Sequence, residues 1–94
     1  MSYIVTVVFE SDVENLEQVE REHPEILAGV GAAAQGRMVS HTRYVRDGYT
    51  MDVDHYESRE AYEAFVAEAG PFIRQYADFG GAVPVDTLWQ RHES

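Results

Sequence analysis

His41 with Asp54, and Arg43 with Asp52, are the side chains of this sequence whose types and spacing suit chemistry together. All four fall in the stretch Met38 to Ser58, MVSHTRYVRDGYTMDVDHYES, where two extended runs flank Asp47-Gly48. Asp-Gly between such runs is a strong hairpin signal, because a two-residue type I′ turn needs positive φ at both central positions. Pairing Arg46 with Tyr49 and counting outward sets Val45 against Thr50, Tyr44 against Met51, Arg43 against Asp52, Thr42 against Val53 and His41 against Asp54. A carboxylate facing an imidazole orients the ring and raises its basicity, which makes His41–Asp54 a candidate acid–base dyad. The plainer alternative is a cross-strand ion pair worth ~0.2–1 kcal/mol. Arg43 with Asp52 reads first as structural, although an interior guanidinium could hold an anionic or enolate oxygen of a ligand.

His23 is a second candidate base. It lies on the apolar stripe of the first helix, where a buried imidazole tends to the neutral form. The alternative is a helix-end residue before Pro24 that bonds a backbone carbonyl. Tyr44, Tyr56, Tyr62, Tyr76, Phe65, Phe72 and Trp89 are enough aromatics to line a pocket for a flat ligand. Of these, Tyr62, Phe65 and Phe72 recur at helical spacing and could be plain core, and Trp89 could pack at a subunit seam. No metal site is expected: the four histidines are scattered, and His41 and His55 would point to opposite faces of the hairpin. A haem stays open, since one His on a helix suffices to ligate it. No glycine-rich phosphate loop follows a strand and no Gly-x-Ser-x-Gly elbow occurs.

These groups need elements to hold them. Tyr3 to Phe9 is β-branched and aromatic on both alternating faces, as in a central strand covered on each side. Glu10-Ser11-Asp12 supplies turn and N-cap chemistry, and Leu16, Val19, His23, Ile26, Leu27, Val30 and Ala33 then recur every three or four residues. Pro24 predicts a kink or restart within that helix, and Gly36 a stop after it. Ser58 is a good N-cap for a second helix with the stripe Tyr62, Phe65, Val66, Ala69, Phe72, Ile73 and Tyr76. Gly70-Pro71 predicts an interruption of that helix, and Gly80-Gly81 its end. Val83 to Gln90 reads as a last strand, with Pro84 near its start, and the residues after His92 are expected to fray.

The bounds on the chain agree with a small globular protein. Its 94 residues show no break in composition, so a single domain over 1–94 is expected. Apolar residues at 45% and charged residues at 26% argue against disorder. Seventeen acidic against seven basic side chains give a formal charge of −10, which repels phosphate backbones and anionic lipid. Neither nucleic acid nor a membrane is therefore an expected partner. Cysteine is absent, which rules out disulfides, thiolate metal sites and a cysteine nucleophile and is compatible with a reducing cytoplasm. With no signal-peptide pattern and no apolar run near ~20 residues, a cytoplasmic location is expected.

Strand–helix–strand occurs twice, which predicts an α+β ferredoxin-like βαββαβ fold: a four-stranded antiparallel sheet, strands one and three central, two helices on one face. The first strand is apolar on both sides, so the uncovered face would be a greasy patch, and a homodimer packed sheet to sheet is the economical inference. Because the helices need an apolar partner, Tyr44, Met51 and Val53 are expected to face them, sending the charged pairs towards the partner subunit.

The order of elements, the length, the Asp47-Gly48 hairpin and the run Asp54-His55-Tyr56-Glu57-Ser58-Arg59-Glu60-Ala61 leading into a helix with Phe65 resemble the dimeric α/β-barrel superfamily. The resemblance covers nearly the whole chain and is greatest to small antibiotic-biosynthesis-monooxygenase-type members. Such proteins include cofactor-independent quinone-forming monooxygenases, haem-degrading enzymes, polyketide cyclases and isomerases. A more distant resemblance is to the YciI-like group, which carries a His on the first helix and Asp-Pro-Phe after the second. His23 matches the first feature, but Gly70-Pro71-Phe72 lacks the Asp. The resemblance implies a small-molecule enzyme that needs no cofactor and takes a proton from an aromatic or polyketide-like substrate. A cofactor-free monooxygenase, or a cyclase or isomerase of the same fold, would follow. The expected site is then His23, His41 and Asp54 for catalysis, with Arg43, Tyr44, Tyr56, Phe65, Phe72 and Trp89 around a small aromatic ligand. The competing reading is a non-catalytic ligand-binding or structural homodimer.

Overall fold

The computed structural model describes residues 2–92, so the fraying expected after His92 falls on residues outside that range. In chain order the elements are β1 (Tyr3–Phe9), α1 (Val13–Glu22), α2 (Pro24–Ala34), β2 (Met38–Arg46), β3 (Tyr49–Tyr56), α3 (Arg59–Gly80) and β4 (Val85–Gln90). The four strands form one sheet in the order β2-β3-β1-β4, antiparallel throughout, with β1 and β3 central. This is the ferredoxin-like α+β arrangement. Among the described residues no helix is long and apolar enough to cross a membrane.

The hairpin register is the one counted from Arg46↔Tyr49, through Arg43↔Asp52 to His41↔Asp54, and it shifts only between Met38 and Ser40. The turn itself differs from expectation. Among the described residues no non-glycine has positive φ, whereas Gly48 has φ 79°. Positive φ at the second central residue alone is the type II pattern rather than type I′. The Gly48 N–H meets the Asp12 carboxylate at 2.7 Å. Asp12 sits at the N-cap of α1 but makes no side-chain cap bond. Thr50, fully buried, donates to the Ser11 carbonyl at 2.9 Å, so the hairpin and the β1–α1 loop are tied twice.

The two faces of the sheet are the reverse of the expectation. Val5, Val7 and Phe9 of β1 lie in register with Asp54, Asp52 and Thr50 of β3, and this face packs on the helices. Arg43 and His41 therefore point at the helices, while Tyr44, Met51 and Val53 lie on the opposite face with Ile4, Thr6, Val8, Val85 and Trp89. That face is uncovered: Tyr44, Val85 and Trp89 are 54%, 62% and 55% exposed. The apolar partner of the helices comes from Val5, Val7, Phe9 and Leu88 instead. The polar pairs tolerate the interior because each carboxylate is hydrogen-bonded, Asp52 to Arg43 and Asp54 to the His41 ring.

Pro24 splits the first helical stretch in two at His23, and Gly36, at φ 76°, follows α2. By contrast α3 runs unbroken for 22 residues through Pro71. An interior proline costs about 3 kcal/mol. Here the stripe is anchored on both sides of it, by Phe65 and Ala69 before and by Phe72, Ile73 and Tyr76 after, so packing offsets the lost bond. Ser58 caps α3 by accepting from the Ala61 N–H at 3.1 Å, and Gly81 ends it at φ 69°. The core has two buried groups: Phe9, Leu16, Val19, Ile26, Tyr76 and Ala82, and Val5, Ala33, Tyr56, Phe65 and Ala69. Val7 and Val30 touch both.

Helices α2 and α3 meet closely at Gly29, where an added Cβ would come within 2.5 Å of the Phe72 ring, whereas a Cβ on Gly31 would meet nothing within 4 Å. Gly29→Ala is therefore expected to cost about 1–3 kcal/mol by overpacking. Gly31→Ala should stabilise by up to ~1 kcal/mol through helix propensity. Urea unfolding of the two variants checks this contrast, and equal effects at both positions would contradict the close approach.

Candidate functional site

Between the sheet and the helices lies a cavity of about 790 Å³. Its floor is the helix-facing side of the sheet: Val5, Val7 and Phe9 from β1, His41 and Arg43 from β2, and Asp52, Asp54 and Tyr56 from β3. Its walls include Leu27, Val30 and Gly31 of α2, and Tyr62, Phe65 and Ile73 of α3. Asp86 of β4 lies at one edge. Apolar surface with a few convergent polar groups is the usual character of a small-molecule site.

The polar groups form a layer of two pairs side by side. His41 Nδ1 lies 2.5 Å from Asp54 Oδ1; the carboxylate is 9% exposed and the imidazole 48%. With Nδ1 held, Nε2 is the ring nitrogen free to meet a ligand. Next to it, Arg43 donates from Nε to Asp52 Oδ1 at 2.7 Å and from its Nη2 to Oδ2 at 3.2 Å. Arg43 Nη1 also meets Glu20 Oε2 of α1 at 3.1 Å, and the Tyr76 hydroxyl of α3 donates to the same oxygen at 2.7 Å. The Tyr62 hydroxyl donates to Asp86 Oδ2 at 2.8 Å.

Burial pushes the Asp54 carboxyl above the ordinary carboxylate value, opposed by its bond to His41 and reinforced by the charges of Asp52 and Asp86. The bond from Arg43 to Asp52 holds the guanidinium more firmly protonated than usual, against the cost of its burial. The phenols of Tyr56, Tyr62 and Tyr76 are all pushed up by burial first. Tyr62 and Tyr76 are further raised by donating to Asp86 and Glu20, and Tyr56 by the charge of Asp54.

Of the residues singled out from the sequence, His41, Asp54, Arg43, Tyr56 and Phe65 come together in this cavity. His23 does not line it: Pro24 ends α1 there, and the ring stacks on Phe79 with centroids 3.7 Å apart and its Nδ1 3.4 Å from Glu25 Oε1. Phe72 packs towards Gly29, away from the cavity lining. Tyr44 and Trp89 belong to the open face, where the Trp89 indole N–H donates to Thr6 Oγ1 at 3.0 Å. His55 also points to that face, opposite to His41, and its Nε2 is enclosed without a partner among the described residues. Glu20 and Asp86 were not legible as site residues, because their partners lie on distant elements. The available signals were faint: Glu20 follows Leu16 by one helical turn, and Asp86 alternates with Leu88 on a strand. Among the described residues no group of three or more His, Asp or Glu side chains could hold a metal ion. His41 is the one histidine in the cavity lining, and its Nδ1 is committed to Asp54.

The fold and site together define a ferredoxin-like α+β protein with an aromatic-lined cavity and a histidine–carboxylate pair on its floor. Solved structures with the same fold include the monooxygenase from the gene ActVA-Orf6 of Streptomyces coelicolor in complex with nanaomycin D. The TM-score is 0.73 at 12% identity, over 99% of this chain and 89% of that one. SnoaB, a cofactor-independent oxygenase from Streptomyces nogalater, superposes with a TM-score of 0.61 at 14% identity, over 99% and 93% of the two chains. A Deinococcus radiodurans protein provisionally named an antibiotic biosynthesis monooxygenase gives 0.70 at 11% identity, over 98% and 94%. At such identities the likeness is one of fold. No family model and no curated protein matches the sequence.

The raised phenols carry a pH dependence of stability. A folded-state value above the unfolded one favours the protonated native state, so this stability is fully present below the ordinary phenol value of about 10 and is lost as pH rises through the folded values. Thermal melting should therefore be insensitive to these phenols up to about pH 10 and fall beyond it. Phenolate absorbance from Tyr56, Tyr62 and Tyr76 should appear only together with unfolding. Ordinary titration of all six tyrosines in the folded protein would contradict it.

Proposed function

We propose that this protein is a small-molecule enzyme of the cofactor-independent monooxygenase type, acting on an uncharged aromatic or polyketide-like substrate held between sheet and helices. The observation that carries the reading is the His41–Asp54 pair on the floor of a cavity large enough for a fused-ring ligand. His41 Nε2 takes the proton of an acidic phenol or enol, and Asp54 stabilises the imidazolium that results. Tyr56 and Phe65 offer flat walls to the ring. The carbanion form of the substrate then reacts with dioxygen. An activated CH2 becomes C=O, the second oxygen atom leaving as water, with no group beyond the substrate required to carry electrons.

An uncharged substrate suits the lining. Glu20, Asp52, Asp54 and Asp86 outnumber Arg43 and Arg74 there, and Arg43 is already spent on two carboxylates. A ligand bearing its own carboxylate would meet a net negative wall.

Oxygen uptake with a phenolic polyketide-like ketone, in the absence of flavin, haem or metal, tests the reading. His41→Gln should lower the rate by about 10²-fold or more while circular dichroism stays unchanged. A rearranged product without oxygen uptake would make the protein a cyclase or isomerase instead. Tight ligand binding with no turnover would support the ligand-binding reading instead.

The assembly in this reading is a homodimer through the open face of the sheet. Exposed Tyr44, Val85 and Trp89 beside Val8, Met51 and Val53 make a patch that a second copy would cover. Trp89→Asp with Tyr44→Asp should give a monomer by sedimentation, and a wild-type monomer at high concentration would overturn the dimer.

A further inference from the structure

Tyrosines 56, 62 and 76 line the cavity, and two of them have committed their hydroxyls: Tyr62 donates to Asp86 at 2.8 Å and Tyr76 to Glu20 at 2.7 Å. Tyr56 is the most buried of the group, at 1% exposure, and its hydroxyl makes no hydrogen bond among the described residues. Burying a phenol without an acceptor is unfavourable, so such a group calls for a reason. Among the described residues His55 Nε2 is the one side-chain polar atom wholly enclosed without a partner. The Tyr56 hydroxyl therefore reaches open space, and the space that this residue borders is the cavity.

Strand β3 sets that hydroxyl beside the histidine–carboxylate pair. Tyr56 stands two residues beyond Asp54 on the same helix-facing side, and the Asp54 charge acts on its phenol. Neighbouring rings hold it in place: Tyr62 meets it edge to face with centroids 5.4 Å apart, and Phe65 lies tilted against it at 5.8 Å. Burial first, and Asp54 second, keep the phenol protonated, which makes it a donor and not a base. Arg43 cannot serve in its stead, because its Nε and Nη2 fork on Asp52 and its Nη1 meets Glu20.

We propose that Tyr56 is a catalytic residue: its hydroxyl, the one hydroxyl of the cavity lining without an acceptor among the described residues, donates to the ligand oxygen on which negative charge gathers as His41 takes the proton. The inference rests on the reading of the cavity as a substrate site. The proton passes to His41 Nε2, the electron pair left behind spreads onto a carbonyl or enol oxygen of the ligand, and the O–H bond of Tyr56 stays intact. A donor fixed in advance is most effective where charge develops during the reaction. The substrate is thereby narrowed to a ring ketone or enol whose oxygen faces the Tyr56 end of β3.

The test compares wild type with Tyr56→Phe, using naphthoquinone and naphthalene as probes. The quinone is a flat, uncharged ring ketone with no proton for His41 to take, and the chain has no cysteine for it to alkylate. Naphthalene has the rings without the oxygens. Calorimetry gives the affinities, infrared difference spectroscopy the carbonyl stretch of the bound quinone, and thermal melting the stability of the ligand-free proteins. In wild type the bound carbonyl should stretch at a lowered frequency. Tyr56→Phe should lose that shift, bind the quinone about fivefold more weakly and bind naphthalene as before. It should melt no lower than wild type, whereas Tyr76→Phe, which gives up the bond to Glu20, should melt lower. Unchanged quinone affinity and frequency in Tyr56→Phe would overturn the proposal, and so would melting lowered as far as in Tyr76→Phe. Because the quinone is not turned over, the two failures separate. A wild type that binds neither probe removes the substrate site and the donor together, whereas quinone binding indifferent to Tyr56 removes the donor alone.

Discussion

Two aspartates on one central strand, each under a tenth exposed and both turned towards the helices, are the constraint around which the rest of the molecule is arranged. A carboxylate taken out of water is costly unless an opposite charge and hydrogen bonds replace the solvent. Asp52 obtains both from Arg43, and Asp54 has a hydrogen bond with the His41 ring. The requirement spreads outward. Arg43 needs a second acceptor, which brings Glu20 and so α1 into contact with the sheet, and Glu20 in turn takes the Tyr76 hydroxyl from α3. One polar chain thus ties strand, first helix and last helix at a single level of the interior. Removing Arg43 leaves the Asp52 and Glu20 carboxylates without their cationic partner, so the layer depends on it most.

The same layer explains why a cavity exists. Charged side chains that point from the sheet towards the helices and pair there with one another and with Glu20 set polar groups, not apolar knobs, against the helices. The two buried clusters sit at either end, around Phe9 and Tyr76 and around Tyr56 and Phe65, with Val7 and Val30 between. Space remains over the polar floor, and His41 is its most exposed member, with one nitrogen pinned and the other free. A hydrogen-bond orienter that is buried and a base that is half exposed is the division of labour that proton transfer to or from a ligand requires.

Much of this was legible in the sequence, and the part that was not has a definite cause. The element order, the hairpin register down to His41↔Asp54, the break at Pro24 and the caps at Ser58 and Gly81 follow from local rules: turn residues, periodicity and capping. Which face of the hairpin meets the helices does not follow locally. Both faces of β1 are apolar, so the central strand gives no vote, and the rule that helices seek apolar partners pointed to Tyr44, Met51 and Val53. The rule was satisfied elsewhere, by Val5, Val7, Phe9 and Leu88, and the charges were stabilised by Glu20 and Tyr76 from elements far away in the chain. The unbroken α3 has a similar cause, because tertiary anchoring on both sides of Pro71 outweighs a local break signal. Candidate site residues divided accordingly: His41, Arg43, Asp54, Tyr56 and Phe65 came together, His23 and Phe72 went to contacts with Phe79 and Gly29, and Tyr44 and Trp89 went to the open face.

The acidic character of the cavity bears on what reaction can take place there. An interior with four carboxylates is a poor host for a ligand that arrives as an anion, yet the proposed proton abstraction must create one. The two statements are compatible only if the proton stays close. When His41 takes it, the total charge of ligand and site is unchanged, and the new anion lies beside a new imidazolium already paired with Asp54. The cost of forming the anion is then that of separating charge over a short distance, with Asp54 stabilising the cation half. A base further from the ligand, or one whose proton passed on to solvent, would leave the anion facing uncompensated carboxylates. The proposed reaction is therefore one in which the proton and the ionised substrate remain a contact pair. In that arrangement the substrate's electron pair is released towards a small neutral reactant such as dioxygen, which the negative walls do not repel.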